Sequence, residues 1–450
     1  MGDEQMDYRS EYRSKCCTPQ RAVQLVRDGD WVDYTHGITF PQILDQALAE
    51  RTGELKDVKI RCMFCLKRPE VMERDPHNVS FTYHTWHSSS VDRRDINEGH
   101  AYFTPVQYSQ LAEYYRRRLA PVDVVMMTVS PMDRHGNFSF ACNPSATQGI
   151  LDAADRIILE VNPNLPEAYG LGGDFIHISD VDAIVESDAP VLTAPNPPVR
   201  EMDKKIASYL FPYLKDGMTL QIGVGGIPNA LGTLIADSDL KDLGMHTEYL
   251  SDGYLKLYES GKITDRRKEL LPGKGVYGTC AGSPDLYDFV DHNRALLSAP
   301  IEFVNHMDRI RQLDQFVSIN GCLAVDLYGQ VCSESAGLRH ISGSGGQVDF
   351  INGAFWSAHG QAFLTMPSTY TDRQGIVHSR IQPYFSHGDI ITTARAVTPS
   401  IVTEYGVAEL VGKTTWQRAE ALIAIAHPDF RESLIRAAEA QHIWRPSCKR

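Results

Sequence analysis

Apolar runs of strand length alternate with segments of helical periodicity, and this alternation constrains the fold more than any other feature of the sequence. Residues 122–129 and 157–161 are apolar on both faces of a strand, which is typical of buried strands in a parallel sheet. The alternation resumes later, with strands predicted at 219–224 and 245–250 and a helix at 228–240. The sequence therefore predicts an α/β fold with mostly parallel sheets.

A proline-rich stretch divides the chain into two parts of about equal size. The full length of 450 residues exceeds one ordinary hydrophobic core. Residues 189–198 contain four prolines and no helical periodicity, as expected of an extended linker. We therefore expect two tandem α/β domains, an N-terminal one at residues 1–197 and a C-terminal one at residues 198–450. In each domain, right-handed crossovers would place the binding loops at the carboxyl ends of the strands.

The charge and cysteine content exclude several classes of protein. The formal net charge is −13, whereas nucleic-acid binding would need a basic face. Nine cysteines, an odd number without framework spacing, indicate free thiols in a reducing cytosol. Cys62 and Cys65 are spaced like a metal or redox pair, but no second pair follows, so we predict no metal site.

The N-terminal residues form no signal peptide and no run reaches membrane-spanning length, so we expect a soluble cytoplasmic protein that binds no membrane.

A glycine-rich turn at residues 223–227 follows one predicted strand and precedes a helix that is expected to open at Pro228. Glycine lets backbone N–H groups approach a ligand closely, and a helix N-terminus adds a positive dipole. Proline at the first helical position loses no intrahelical hydrogen bond. The turn is therefore a candidate anion site, although glycines there could also serve steric needs alone.

Glu248 is the acidic residue closest to this turn in the predicted topology, because it lies near the end of the following strand. A lone glutamate is usually solvated, but two functions fit this position. It could be the acidic residue of a dinucleotide-binding unit, although Pro228 stands where that fingerprint has its third glycine. It could instead be a nucleophile that attacks an activated acyl group, with backbone N–H groups stabilising the oxyanion. Sequence spacing leaves both functions open.

A second cluster of small residues, 342–346, suits a backbone nest that binds an anion, although a flexible surface loop is equally compatible with it. Two glycine-rich turns and one acidic residue are more than a dinucleotide site requires. They fit a site that holds an oxyanion from two sides.

Several motifs resemble those of the acetyl-CoA hydrolase/transferase group of class I CoA-transferases, and the resemblance covers nearly the whole chain. The motifs are Val129-Ser-Pro-Met-Asp-Arg-His-Gly, Leu220-Gln-Ile-Gly-Val-Gly-Gly-Ile-Pro-Asn, Ser342-Gly-Ser-Gly-Gly-Gln-Val-Asp-Phe, Ser379-Arg-Ile, Val402-Thr-Glu-Tyr-Gly-Val-Ala and Ala426-His-Pro-Asp-Phe-Arg. The resemblance implies two α/β domains with the active site in the cleft between them, in a homodimer or a higher homo-oligomer.

The resemblance also implies functional residues. Glu248 stands where the family keeps the nucleophile that becomes a glutamyl-CoA thioester. The residues implied to bind CoA or to stabilise the oxyanion are Gly223, Val224 (through its amide), Gly225, Gly226, Ile227, Asn320, Gly343, Gly345 and Gly346. No metal or other cofactor is expected, because CoA is both substrate and covalent intermediate.

The implied reaction is the exchange of CoA between a short-chain acyl-CoA, expected to be butyryl-CoA, and a carboxylic acid, expected to be acetate. Two half-reactions through the thioester would give ping-pong kinetics. The enzyme could instead be a 4-hydroxybutyrate or propionate CoA-transferase, with a different acyl group, and a hydrolase on the same scaffold would let water attack the thioester. A non-catalytic CoA-binding sensor and an oxidoreductase that binds nicotinamide or flavin are further alternatives.

Overall fold

The computed structural model describes residues 8–445, so the N-terminal segment from which we predicted the lack of a signal peptide lies outside the described residues. By their internal contacts, the residues form two compact units. The first unit comprises the described residues up to Pro195 together with Glu248–Leu250 and Val276–Val304. The second comprises Asn196–Thr247, Ser251–Gly275 and the described residues from Asn305 onward. The boundary predicted at residues 197 and 198 lies next to the main change between units and stays a prediction.

The N-terminal half contains short strands and helices in alternation. Its strands are β1 (Trp31–Asp33), β2 (Val58–Cys62), β3 (Phe81–Thr85), β4 (Ala101–Phe103), β5 (Val124–Val129), β6 (Asn137–Ser139), β7 (Arg156–Val161), β8 (Phe175–His177) and β9 (Ala183–Glu186). Its α-helices are α1 (Tyr8–Lys15), α2 (Pro19–Ala22), α3 (Gln42–Ala49), α4 (Glu70–Arg74), α5 (Arg93–Glu98), α6 (Leu111–Arg116) and α7 (Thr147–Ala153). Short 3₁₀ turns cover Val23–Leu25, Gly37–Thr39, Tyr108–Gln110 and Ile178–Asp180.

Seven of these strands form one sheet in the order β4-β3-β2-β1-β5-β7-β9, and all neighbours in it are parallel. β6 and β8 form a separate antiparallel pair. Every residue of β5 is buried, as expected of a parallel strand that helices cover on both faces. The strand order reverses between β1 and β5, which is where open α/β sheets form a crevice at the carboxyl ends of their strands.

The same alternation continues beyond the proline-rich segment. The strands are β10 (Thr219–Ile222), β11 (Gly244–Leu250), β12 (Gly275–Cys280), β13 (Leu296–Ser298), β14 (Phe316–Gly321), β15 (Ala324–Asp326), β16 (Val331–Cys332), β17 (Ser335–Ala336), β18 (Arg339–His340), β19 (Gln361–Thr365), β20 (Thr369–Thr371), β21 (Val377–Ser379), β22 (Ile381–Gln382), β23 (Ser400–Thr403) and β24 (Gly406–Ala408). The α-helices are α8 (Glu201–Leu210), α9 (Gly226–Ala236), α10 (Asp252–Glu259), α11 (Pro284–Val290), α12 (Ile301–Val304), α13 (Met307–Ile310), α14 (Gln347–Trp356), α15 (Thr415–Ala424) and α16 (Pro428–Ala440), with a 3₁₀ turn at Phe211–Tyr213.

The second large sheet contains β11, β10, β14, β19, β23 and β24 as successive neighbours. These strands pair in parallel, except that β24 folds back antiparallel to β23. The strand order reverses between β10 and β14, so the crevice of this sheet is expected where those two strands end. Apolar residues of β23, α15 and α16, including Ile401, Leu422 and Leu434, pack into one buried cluster. The predicted α/β class with mostly parallel sheets is confirmed.

Two further features concern residues 8–445 as a whole. No helix in this range is long and apolar enough to cross a lipid bilayer. No group of three or more His, Cys, Asp or Glu side chains within the same range is arranged to hold a metal ion. Cys62 and Cys65 are both buried and their thiols are free.

Candidate active site

The glycine-rich turn lies at the carboxyl end of β10, at the point where the strand order of the second sheet reverses. Gly223 still belongs to the sheet, because its N–H donates to the Ile319 carbonyl of β14 at 2.8 Å. Val224 is 60% exposed, and its amide has no hydrogen-bond acceptor within the described part of the chain. Within this turn, the Val224 amide is therefore placed to meet an anion.

Helix α9 begins at Gly226, so the predicted start at Pro228 is wrong by two residues. Gly225 precedes the helix with a φ of 130°, a conformation that side chains rarely adopt. This left-handed residue ends the turn early and lets Gly226 and Ile227 enter the helix. Pro228 is tolerated because amides in the first helical turn have no intrahelical acceptor.

Gly226 leaves no room for a side chain. A Cβ atom at this position would lie 2.5 Å from Oδ2 of Asp203, which is itself only 1% exposed. Asp203 is fixed because it accepts hydrogen bonds from the backbone N–H of Arg200 at 2.9 Å and from its guanidinium at 3.0 Å. A buried, paired carboxylate thus packs against the first residue of α9 and positions the glycine turn.

Asn320 is the next-to-last residue of β14 and lies next to the glycine turn. Its Nδ2 donates to Gln221 Oε1 and to Ser318 Oγ, both at 3.0 Å, and its Oδ1 accepts from Gln221 Nε2 at 3.1 Å. The same Oδ1 lies 3.4 Å from the place where a Cβ on Gly223 would be. The structure therefore brings Asn320 and Gly223 together, with the Asn320 amide held by neighbouring side chains, and the predicted contact of Asn320 with CoA stays a prediction.

The second predicted donor loop, Gly343, Gly345 and Gly346, precedes α14. Gly345 has a φ of 50°, and Gly346 is the residue that caps the helix. A backbone hydrogen bond holds the start of the loop in place, because the Ser342 N–H donates to the Glu334 carbonyl at 3.2 Å. Because α14 connects the parallel strands β14 and β19, its N-terminus belongs to the carboxyl edge of the sheet, where the glycine turn also lies.

A tyrosine separates the ends of β10 and β11. The register between these strands covers Thr219 with Gly244 and Leu220 with Met245. The next N–H on that side of β10, from Ile222, donates instead to the hydroxyl of Tyr254 at 2.7 Å. The two strands therefore stop bonding to each other before the glycine turn begins.

Glu248 is a partly exposed residue near the end of β11. Its backbone oxygen lies 3.2 Å from the position that a Cβ on Gly278 of β12 would occupy. The Gly278 carbonyl in turn accepts the N–H of Ser145 at 2.9 Å. Glycine at position 278 thus permits close packing of β12 against the backbone of Glu248, and the same residue binds the segment that contains Ser145.

Tyr108 and Ser145 form a buried hydroxyl pair near Glu248, with 2.5 Å between Tyr108 Oη and Ser145 Oγ. Burial, and after it the negative charge of Glu248, raise the pKa of Tyr108, so the phenol stays protonated. Ser145 has a φ of 43°, which is uncommon for a residue with a side chain. Its carbonyl accepts the Ile301 N–H at 2.8 Å, which helps to fix this strained conformation.

His36 stacks on the ring of Tyr108, with 6.3 Å between ring centroids and 24° between planes. Burial, with a smaller contribution from the charge of His87, lowers the pKa of His36 to about 3. The imidazole is therefore neutral at neutral pH, and its Nδ1 lies 3.4 Å from Thr279 Oγ1. Asn143 donates to the His36 carbonyl, while its own buried Oδ1 has no partner within residues 8–445.

Sequence reasoning did not identify Tyr108, Ser145, Tyr254 or Asp203. Tyr108 and Ser145 lie far from Glu248 along the chain, and Asp203 and Tyr254 lie at least 20 residues from the glycine turn. No local pattern marks any of the four as functional. The Asn-Pro dipeptide before Ser145 signals a turn, and it was the one sequence feature from which a special backbone position could have been suspected.

Comparison with known proteins adds an independent line of support. The family model of the acetyl-CoA hydrolase/transferase N-terminal domain matches residues 1–194, and that of the C-terminal domain matches residues 282–438. A butyryl-CoA:acetate CoA-transferase from Anaerostipes caccae is 43% identical over 446 residues, which cover 99% of this chain and 100% of the relative.

Two solved structures have the same fold. RipA from Yersinia pestis superimposes with a TM-score of 0.88 at 33% identity, over 97% of this chain and 100% of that one. The 4-hydroxybutyrate CoA-transferase from Porphyromonas gingivalis superimposes with a TM-score of 0.77 at 32% identity and the same coverage. The family predicted from the sequence motifs is confirmed: the chain belongs to the acetyl-CoA hydrolase/transferase family.

Proposed function

We propose that the protein is a CoA-transferase that moves CoA between butyryl-CoA and acetate, with Glu248 as the nucleophile. The observation that carries the proposal is the unbonded Val224 amide at the carboxyl end of β10, the strand beside the one that bears Glu248. An acyl transfer needs a nucleophile and a donor for the oxyanion, and we assign these roles to Glu248 and to the Val224 amide. The relative that acts on butyryl-CoA and acetate supports the choice of substrates.

The first half-reaction begins when a Glu248 carboxylate oxygen attacks the thioester carbonyl carbon of the acyl-CoA. The oxyanion that forms accepts the Val224 N–H, and the C–S bond then breaks to give an acyl-glutamyl anhydride and CoA thiolate. The thiolate attacks the glutamyl carbonyl carbon and expels the acyl group as its carboxylate. The enzyme now carries CoA as a glutamyl thioester.

The second half-reaction reverses these steps with acetate as the incoming carboxylate. Every bond that breaks is balanced by one that forms, so no redox cofactor enters the scheme. The fixed position of the glycine turn, set by Asp203 against Gly226, provides a preorganised donor at both stages. Gly223, Gly225, Ile227, Asn320 and the loop at Gly343, Gly345 and Gly346 are proposed to surround CoA.

Trapping of the covalent intermediate tests the proposal. We expect peptide mass spectrometry of enzyme mixed with butyryl-CoA, then reduced with borohydride, to find Glu248 converted to the corresponding alcohol. Glu248→Gln should give no such modification and at least about a thousandfold loss of exchange rate. Glu259→Gln, an identical change at an exposed residue of α10, serves as the control. Modification elsewhere, or full activity of Glu248→Gln, would contradict the nucleophile assignment.

Product analysis separates the remaining alternatives. A transferase makes acetyl-CoA only when acetate is present, whereas a hydrolase releases free CoA in water. Competition among acetate, propionate and 4-hydroxybutyrate would identify the preferred acid, and the structural relative that acts on 4-hydroxybutyrate makes that comparison necessary. A homo-oligomer in the cytoplasm stays a prediction of the sequence resemblance.

A further inference from the structure

Arg380 is a cationic side chain that the mechanism above does not use, although it belongs to one of the family-like sequence motifs. It follows β21 and precedes β22, and its backbone N–H donates to the Ser368 carbonyl at 2.8 Å. Its guanidinium donates to two backbone carbonyls, that of Leu323 at 2.8 Å and that of Thr369 at 3.3 Å. Both backbone and side chain are therefore held in place.

These contacts put Arg380 at the edge of the second sheet where the glycine turn lies. Leu323 comes two residues after the end of β14, and Thr369 comes four residues after the end of β19. Asn320 and the glycine turn lie at the carboxyl ends of β14 and its neighbour β10. A ligand that begins at the turn and extends across the ends of β14 and β19 would meet this guanidinium.

No acid neutralises Arg380. Within residues 8–445, no carboxylate lies within ion-pair distance of its guanidinium, and its near neighbours include the Cys322 thiol and the ring of Tyr370, 5.1 Å from Cζ. Its Nη2 makes no hydrogen bond to the described protein. A guanidinium carries five N–H donors in a planar fork that suits phosphate, so the side chain retains donors for an anion.

Arg200 is a second cation, and its contacts link it to the glycine turn. Burial lowers the pKa of Arg380, and the positive charge of Arg200 contributes less in the same direction. Arg200 forms an ion pair with Asp203, and Asp203 packs against Gly226. Arg200 is therefore connected to the glycine turn through Asp203, and it belongs to the same compact unit as Arg380.

We propose that Arg380 binds a phosphate of the nucleotide portion of CoA. This inference rests on the proposed function, because it extends the same substrate from its thioester to its opposite end. The local cation also offsets an obstacle, since CoA is an anion and the chain has a formal net charge of −13. Binding energy from this remote contact would act on the reaction at the thioester.

A substrate without phosphates tests the inference. Butyryl-pantetheine has the same thioester as butyryl-CoA but ends before the phosphates. For Arg380→Gln we expect kcat/KM for butyryl-CoA to fall about 10- to 100-fold, the range for a lost charged hydrogen bond, while kcat/KM for butyryl-pantetheine stays unchanged. Arg380→Lys keeps the charge and should recover part of the loss.

Arg418→Gln provides a matched control. Arg418 is likewise only partly exposed and donates to the backbone carbonyls of Tyr328 and Arg395, at 3.2 Å and 2.6 Å. The Arg418→Gln variant should keep the wild-type preference for butyryl-CoA over butyryl-pantetheine. If Arg380→Gln lost activity equally on both substrates, Arg380 would be a structural residue and the inference would be wrong.

Binding without turnover distinguishes this inference from the proposed function. Calorimetry with 3′-phosphoadenosine 5′-diphosphate should show tighter binding to wild type than to Arg380→Gln, and inorganic phosphate should bind far more weakly. Equal affinity for inorganic phosphate would mark a general anion site and overturn the assignment to CoA. Nucleotide binding without a Glu248 thioester would leave this inference standing and reject the function, whereas the thioester with an unchanged substrate preference in Arg380→Gln would do the reverse.

Discussion

In the first sheet the strand order reverses between β1 and β5, and in the second it reverses between β10 and β14. At the first reversal the residues after β1 are buried, including Thr35 and His36 at 1% and 4% exposure, and the Gly37 N–H donates to the Phe64 carbonyl. At the second reversal Val224 is largely exposed with an unbonded amide. The crevice is therefore filled in the first sheet and open in the second. We call the strand-order change at Thr35 and His36 the filled reversal and the one at Val224 the open reversal.

This difference shows that strand order alone does not decide where a ligand binds. The filled reversal belongs to a buried network in which His36 stacks on Tyr108, whose pKa responds to the charge of Glu248. The open reversal leaves a backbone donor facing solvent. Under the proposed function, we expect the first reversal to support Glu248 and the second to bind the substrate.

Among the tests of this comparison, the largest effect is expected from a substitution that displaces the glycine turn at the open reversal. In Gly226→Ala the new methyl group would collide with Asp203, so α9 and the glycine turn must move. We expect acyl exchange to fall about 100-fold or more, as for the loss of one oxyanion donor. Gly232→Ala is the control in the same helix, because the nearest atom to its new methyl would be 3.7 Å away. Equal rates for both variants would show that the turn is not the donor.

A smaller effect should follow from removing the buried imidazole at the filled reversal. Because the pKa of His36 is lowered to about 3, the unfolded chain binds a proton between pH 6.5 and 3 that the folded protein does not. Stability contributed by the neutral imidazole is therefore lost as pH falls, by about 2 kcal/mol between pH 7 and pH 5.

Urea unfolding of His36→Gln at these two pH values measures this contribution. Between pH 7 and pH 5, the variant should lose about 2 kcal/mol less of its free energy of unfolding than the wild type does. His77→Gln removes an exposed histidine and should retain the wild-type difference. The explanation is wrong if His36→Gln loses as much free energy of unfolding between pH 7 and pH 5 as the wild type does.

The smallest expected effect concerns the hydroxyl pair beside Glu248. Tyr108→Phe keeps the stacked ring but removes the partner of Ser145 Oγ, and we expect a loss of about 1 kcal/mol in the free energy of unfolding. A double-mutant cycle with Ser145→Ala should give a coupling energy of similar size. Tyr114→Phe, a partly exposed tyrosine of α6, is the control. Additive single losses would show that the two hydroxyls do not interact.

Features encoded by short stretches of sequence could be predicted. Residues 124–129 and 156–161 form parallel strands where apolar runs indicated them, because burial on both faces removes polar residues from a strand. Gly223, Val224 and Asn320 occupy the strand ends that the motif implied. The start of α9 could not be placed, because it depends on the φ of Gly225 and on Asp203 in another helix.

Features that depend on distant parts of the chain could not be predicted. Tyr108 and Ser145 are separated by 37 residues, and neither lies near Glu248 in the sequence. Arg380 stood within a recognised motif, yet its significance depends on the absence of a nearby acid, which only folded coordinates reveal. Local patterns therefore predict elements and strand ends, whereas tertiary packing determines which polar groups stay available to a ligand.

The hydroxyl of Tyr254 interrupts a sheet that would otherwise continue to pair. By taking the Ile222 N–H, it keeps β10 from forming its next ladder bond with β11. In a more regular sheet the Ile222 N–H would bond to the neighbouring strand and not to a side chain, but the paired part of the two strands would then extend toward the glycine turn. Because the ladder is incomplete, the end of β10 is held by a side chain of α10 and not by its neighbour β11.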